Sequence, residues 1–543
     1  MKIKSNIVNV ITDEIYPAEV EIKDGHIKTV TELNRKQDTT MIPGLIDAHI
    51  HIESSMLVPT RFAQTALKHG TTSVITDPHE IANVMGIEGI NYMINDSKNT
   101  PLNVYFTVPS CVPSTKYETN GATLDSKITD ELLSKKEFIG LSEVMDYNAV
   151  LNDEEEIIKK IESAKKYNKA IDGHAPLLRS TKLQKYISAG ITTDHESITK
   201  EEVIEKKRLG MKIMIREGSE SKTLKEFINL NPDFIVTDDL KAEELVKGHI
   251  NTIIQKAVKL GYDIQEILKL VTINPAQHYQ LNTGSITPGR KADLVILDNL
   301  EDFNIKEVIS SGIRVCRNNQ ILINPQPQQL TTKINVKNKT PEDFEIRTHD
   351  KSTTKALVNV IKVTDNQIVT DKITREVKVK DGKIETNTED DTLKISVVER
   401  YGHNTTYTAL INGFDITNGA ISSSVAHDSH NIITIGTNSK LMAKATNTVI
   451  DNNGGLASVD NNETISLKLE VAGLMTKDNA EKVAQKSSQL NEYTKIMGSK
   501  LTNPFSTLSF MALPVVPALK ITDKGLFDVD ENRFIPVIID EYH

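Results

Sequence analysis

The chain has 543 residues, 38% hydrophobic and 25% charged, with a formal net charge of −10. That length calls for roughly two to four domains, and the acidic balance disfavours nucleic-acid or anionic-membrane binding. Two cysteines without a CxxC argue against a disulfide scaffold or thiolate zinc and fit a reducing cytoplasm, while no apolar run approaches the ~20 residues of a membrane helix and the start does not read as a signal peptide.

The first segment, "NIVNVITDEIYPAEVEIKDGHIKTV", alternates apolar and polar residues around a "KDG" turn and predicts a few short strands. A second strand-like region runs from "GSITPGRKADLVILDNL" to residue 323. Between these β-rich ends, eight short apolar runs alternate with helical spacers: "GLIDAHIHI", "TTSVITDPHE", "NVYFTVPS", "FIGLSEVM", "AIDGHAP", "ITTDHES", "KIMIREGS" and "FIVTDD". One spacer aligns Ile157, Ile158, Ile161 and Ala164 on a helix face. Another opens on Thr199 as an N-cap and ends in Gly210. This is the pattern of a (β/α)8 barrel, an α/β fold; an open doubly wound sheet is the alternative. After residue 323, "NPQPQQLTTKINVKNKTPEDF" reads as a linker. The remainder mixes strands and helices without a repeat, which predicts a further α/β domain.

Nearly every barrel run finishes on a polar residue, and in such a barrel the C-terminal strand ends converge on the active site. His49 and His51 share one face of the first strand. With His174, His195 and Asp238 they form a nitrogen- and oxygen-rich set, and Glu143 falls between them. Six such groups exceed what one catalytic ion needs, so two ions bridged by Glu143 is the economical reading. Metal binding lowers a water pKa to about 7, which makes hydroxide available as a nucleophile. Asp238 would also move the proton, and Asp239, next in the strand, is expected to face the other way. Singly, each residue has a plainer reading: a surface or core histidine, a loop carboxylate at Glu143, a helix cap at Asp238. His79 and Glu80 could orient a ligand, form a supplementary metal site, or cap the helix from Ile81.

"PGLIDAHIH", "NPAQHYQL" and "GSITPGRKADLVILD" resemble the amidohydrolase superfamily. A finer resemblance, over nearly the whole chain, is to the adenine deaminase family. It rests on "IDAHIHIESSML", "TDPHEIANVMG", "GLSEVMDY", "AGITTDHES", "INGFDITNGAISSSVAHDSHNI" and "FSTLSFMALPVVPALKITDKGLFDV". The resemblance implies a metal-dependent hydrolase barrel over residues 41–283, with a small β-sandwich built from residues 1–40 and 284–323. It implies a family-specific C-terminal domain over 335–543. The implied reaction is hydrolytic deamination of adenine to hypoxanthine and ammonia, in purine salvage. The implied cofactor is a binuclear Mn²⁺ or Fe²⁺ centre on His49, His51, Glu143, His174, His195 and Asp238. A cytoplasmic homo-oligomer, a dimer, is the implied form. Glu143 stands where many related hydrolases carry a carboxylated lysine, which favours the deaminase over a hydantoinase-like cyclic amide hydrolase. A non-catalytic assembly protein would tend to lose metal ligands, and all six are present. At the seventh strand end, Glu217 is expected to act catalytically by donating to a ring nitrogen of adenine, and Arg216 to orient a pocket carboxylate; a salt-bridged loop is the alternative. The run His427 to His430 recurs in the family, as a structural turn or a wall of the active site.

Overall fold

The computed structural model describes residues 1–330 and 332–543. At its centre stand eight short strands: Leu45–His51, Thr71–Thr76, Asn103–Val108, Phe138–Val144, Ala170–Gly173, Thr193–Asp194, Lys212–Arg216 and Phe234–Val236. They coincide with the eight apolar runs, and helical segments separate them. The first five pair in parallel, in sequence order, and so do the last three. The two sets meet where the Thr192 N–H donates to the Ile171 carbonyl at 3.0 Å. The ring closes where Asp238 and Asp239 oppose Ile50 and His51. This is the (β/α)8 barrel. Its strands are covered on both faces, so they read as continuous apolar runs; Leu45, Ile46, Ala48 and Ile50 are all fully buried.

The spacers follow ordinary helix rules. Glu155–Lys166 buries Ile157, Ile161 and Ala164. Thr199 caps Lys200–Arg208 in a reciprocal box with Glu202.

A second, eight-stranded sheet gathers both flanks of the barrel. Lys2–Asn9, Glu14–Lys23, His26–Glu32 and Thr40–Pro43 join Leu294–Leu297, Ile305–Ser310, Ile313–Arg317 and Gln320–Ile321. The two halves meet where Leu294–Leu297 lies antiparallel to Thr40–Pro43. Beyond residue 323, the described residues up to Thr340 contain no helix or strand. A ten-stranded sheet follows, antiparallel except where Lys355–Lys362 lies beside Thr406–Asn412. Helices Ser439–Asp451 and Ala480–Ile496 pack on it. This C-terminal segment is fastened to a helix and a loop of the barrel. Arg61 Nε donates to the Lys477 carbonyl at 2.8 Å, and Asn431 Nδ2 to the Thr119 carbonyl at 2.8 Å. Among the described residues, no helix is long and apolar enough to cross a membrane.

One residue, Gly44, links the flanking sheet to the first barrel strand. A Cβ there would lie 2.1 Å from Thr72 Oγ1 and 2.8 Å from Thr72 Cγ2. Contacts that close force the neighbouring strand to shift, and overpacking of this kind costs about 1–3 kcal/mol. Gly44→Ala is therefore expected to lower stability by about that amount in denaturant unfolding. Adding Thr72→Ala should recover part of the loss; a single variant as stable as the parent would contradict the tight crossing.

Candidate metal centre and active site

The barrel strands bring one carboxylate and four imidazoles together at their C-terminal ends. Glu143 Oε2 lies 2.9 Å from His174 Nδ1 and 3.2 Å from His195 Nε2. Its Oε1 lies 3.4 Å from His51 Nε2 and 3.9 Å from His49 Nε2. Asp238 faces the same pair from the eighth strand: its Oδ1 is 3.2 Å from His49 Nε2 and 2.9 Å from His51 Nε2. Five of these six side chains are buried, and His174 is half-buried at the mouth.

The donor set fits two cations. Ligand atoms of Glu143, His174 and His195 lie within 4.8 Å of one another, and so do those of His49, His195 and Asp238. His49 Nε2 and His195 Nδ1 are buried nitrogens without a hydrogen-bond partner. Imidazole and carboxylate together suit first-row divalent metals. The electrostatics ask for positive charge. Burial alone would raise the Glu143 pKa, but His174 and His195 hold it well below the usual range. Burial likewise opposes the charged form of His51, yet its bonds to Asp238 and Glu143 push its pKa well above normal.

A surrounding layer fixes these side chains. Asp47 accepts from the Thr237 N–H at 3.2 Å and lies 3.0 Å from His249 Nε2, which ties the first strand to the residue before Asp238. The Tyr186 hydroxyl donates to the Val144 carbonyl at 2.7 Å and accepts from the His174 N–H at 3.0 Å. Behind His195, the fully buried Lys206 lies 2.9 Å from Asp194 Oδ2 and donates to the Ala175 carbonyl at 2.7 Å.

Arg216 turns inward. Its Nε lies 2.6 Å from Asp238 Oδ2, its Nη2 lies 3.0 Å from Asp239 Oδ2, and its Nη1 pairs with Glu196. All three nitrogens thus meet carboxylates. Two expectations need correction here. Glu217 is one residue on from Arg216 and faces the opposite way, as strand alternation requires. It accepts from the Leu224 N–H at 3.0 Å and pairs with Lys256, away from the cluster; the salt-bridged alternative describes it. Asp239, conversely, does not turn outward. Asp238 has a left-handed backbone, φ +59°, which breaks the alternation and brings Asp239 to Arg216 and to the Ser54 hydroxyl, 2.6 Å away.

His79 and Glu80 sit at the rim. His79 Nδ1 lies 2.9 Å from Asp77 Oδ2 and 3.8 Å from Glu143 Oε1. Glu80 is held by two histidines of the C-terminal segment: His427 Nδ1 at 2.7 Å from Oε1, and His430 Nε2 against Oε2. The Ala426 N–H donates to His430 Nδ1. That nitrogen is the acceptor, so Nε2 carries the proton and donates to Glu80. The trio forms a hydrogen-bonded clamp on Glu80, and its donor atoms also lie within 4.8 Å of one another. Burial opposes charge on His427, but Glu80 raises its pKa to about 9. Burial lowers the His430 pKa, so one charged and one neutral imidazole hold the anion.

A pocket opens between the barrel mouth and the C-terminal segment. Its barrel side includes Glu53, Glu80 and Asp239; its other wall includes His427, Phe505 and Phe510. Sequence reasoning did not single out Glu53, Asp77, Glu196 or Asp239 as site residues. Each is adjacent or nearly adjacent to a quoted histidine or aspartate, which was the available signal.

Comparison with known proteins agrees with this division. Residues 40–315 match the amidohydrolase family, and residues 367–533 match the adenine deaminase C-terminal domain. An adenine deaminase of Methanosphaera stadtmanae is 54% identical, with 100% of each chain covered. One from Borreliella burgdorferi is 43% identical, covering 98% of this chain and 99% of the relative. Among solved structures, a β-aspartyl dipeptidase from Fervidobacterium islandicum AW-1 is similar with a TM-score of 0.45 and 18% identity, over 60% of this chain and 99% of that one. With a relative matched from end to end at 54% identity, the chain belongs to the adenine deaminase family of amidohydrolases.

Proposed function

We infer that the chain is an enzyme that deaminates adenine hydrolytically, releasing hypoxanthine and ammonia. The observation that carries this reading is the pocket itself. One wall is formed by barrel residues that flank the imidazole–carboxylate cluster, Glu53, Glu80 and Asp239 among them, and the other belongs to the segment matching the adenine deaminase C-terminal domain. A cyclic amide hydrolase would need the first wall and has no evident use for the second.

We propose that His49, His51, His174, His195, Glu143 and Asp238 would hold a pair of Mn²⁺ or Fe²⁺ ions, with Glu143 contributing to both. When bound, such ions supply Lewis acidity that makes a nucleophile from water near neutral pH. The protein's own groups move protons. Asp238 takes one from the attacking water and returns it to the purine ring or the departing amine, as a general base and then a general acid. Arg216 fixes Asp238 by Oδ2 and leaves Oδ1 towards the cluster. Asp77 sets the ring of His79, and the His427–His430 clamp sets Glu80; buried carboxylate–histidine pairs of this kind orient the side chains around a metal centre. Ammonia leaves as adenine's exocyclic nitrogen, and the oxygen of water becomes that of hypoxanthine.

The direct test is ammonia release from adenine by Mn²⁺-loaded protein, with a chelator-treated sample and hydantoin alongside. Release from adenine that chelation abolishes, without hydantoin opening, is the expected outcome. Hydantoin turnover without ammonia would overturn the reading.

Asp238→Asn should keep most of the bound metal, because the amide oxygen still coordinates, yet lose at least about 100-fold in kcat. Near-normal turnover would remove Asp238 from the proton path.

Metal affinity should also depend on pH. His51 and His195 take up protons readily beside their carboxylates, and a proton must leave before a cation binds. Lowering the pH should therefore weaken Mn²⁺ binding, as titration calorimetry would register together with proton release. Affinity independent of pH would argue against imidazole ligands.

A further inference from the structure

Two fully or nearly buried carboxylates line the pocket from the barrel side, Glu53 and Glu80. Their oxygens are differently committed. Both oxygens of Glu80 are taken by His427 and His430. Glu53 accepts the Ile81 N–H at Oε1, 3.3 Å away, and its Oε2 is buried with no partner. The residue is only 4% exposed. An acceptor buried without a donor is costly, and here it belongs to a side chain of the pocket wall. Asp239, also in the wall, spends its two oxygens on Ser54 and Arg216. Glu243 has a free Oε2 as well, but that residue is only half-buried.

The position of Glu53 is fixed by the chain. It lies two residues beyond His51, in the short 3₁₀ turn Ile52–Ser55 that ends the first barrel strand. Its carboxylate is therefore held at the edge of the cluster, beside the start of the helix that bears His79 and Glu80. A purine placed with C6 at the cluster and its imidazole ring towards the pocket wall would bring a ring nitrogen to that wall. The free base carries an N–H there, and N9-substituted purines do not.

We propose that Glu53 is a specificity-determining residue whose free Oε2 accepts the imidazole N–H of the purine base. The proposal rests on the deaminase reading and adds what selects the free base. A substrate without that N–H leaves the buried oxygen unpaired, and sites built around a hydrogen bond reject such analogues strongly.

Steady-state kinetics on adenine and 9-methyladenine test it, with metal content measured for every sample. Wild-type protein should show at least about a 10-fold lower kcat/KM on 9-methyladenine. In Glu53→Gln, the Ile81 N–H retains the amide oxygen and the NH₂ faces the pocket. Adenine kcat/KM should then fall about 10-fold or more, mainly through KM, with metal content unchanged. The preference for adenine over 9-methyladenine should shrink by about 10-fold relative to the wild type, because the bulk of the methyl group is the same for both proteins and only the hydrogen bond differs. Glu53→Asp retains the carboxylate one methylene further back and should keep an intermediate preference. Wild-type protein that accepts both bases equally would overturn the proposal whether or not the variants fold. So would a Glu53→Gln protein with the wild-type preference. Absence of ammonia from adenine itself would instead remove the deaminase reading beneath it.

Discussion

Glu143 is the constraint on which the site depends. One buried carboxylate faces imidazoles delivered by the first, fifth and sixth barrel strands, within 2.9 to 3.9 Å. Buried charges of this kind are tolerated only when paired and hydrogen-bonded. The barrel meets that condition by bringing strand ends that are far apart in sequence to a common mouth. Much of the surrounding polar structure serves to keep those ends in place. Asp47 joins the first strand to Thr237 at the end of the eighth and to His249 before the next helix, Tyr186 joins the fourth to the fifth, and the Lys206–Asp194 pair backs the sixth.

The C-terminal segment takes part in the same arrangement. The clamp of His427 and His430 on Glu80 is a link between the barrel mouth and the ten-stranded sheet, with His430 and Glu80 350 residues apart in sequence. It keeps Glu80 ionised, since burial would raise its pKa but the nearby imidazoles hold it well below normal. Two of the six proposed ligands come from one strand, and Glu80 begins the helix after the next strand. The segment therefore bears on the rim of the cluster and also forms the far wall of the adjacent pocket.

The barrel was legible because its strands are buried on both faces and end in polar residues. Eight runs of that kind, separated by capped amphipathic helices, define both the fold class and the mouth. The six clustered side chains were legible for the same reason. Orientation beyond the strand ends was not. At Arg216 and Glu217 the alternation held, but which of the two faced inward depended on a register the sequence does not print. At Asp238 the left-handed backbone reversed the expected direction of Asp239. Such a conformation is open to aspartate, and nothing in "VTDD" distinguishes it from a straight strand. In "HIESS" Glu53 is one acidic residue beside a histidine, and only its unpartnered oxygen in the folded pocket sets it apart. The partnership of Glu80 with His427 and His430 spans about 350 residues of sequence separation, beyond the reach of any local pattern.

On the proposed reading, Glu143 would serve both cations of the site. Metal analysis of Glu143→Gln, loaded with Mn²⁺ and dialysed beside the parent protein, addresses it most directly. The parent is expected to retain about two Mn²⁺ per chain, and the variant fewer, with adenine turnover falling in step. A variant that retains the parent's full metal content and near-normal turnover would contradict the bridge.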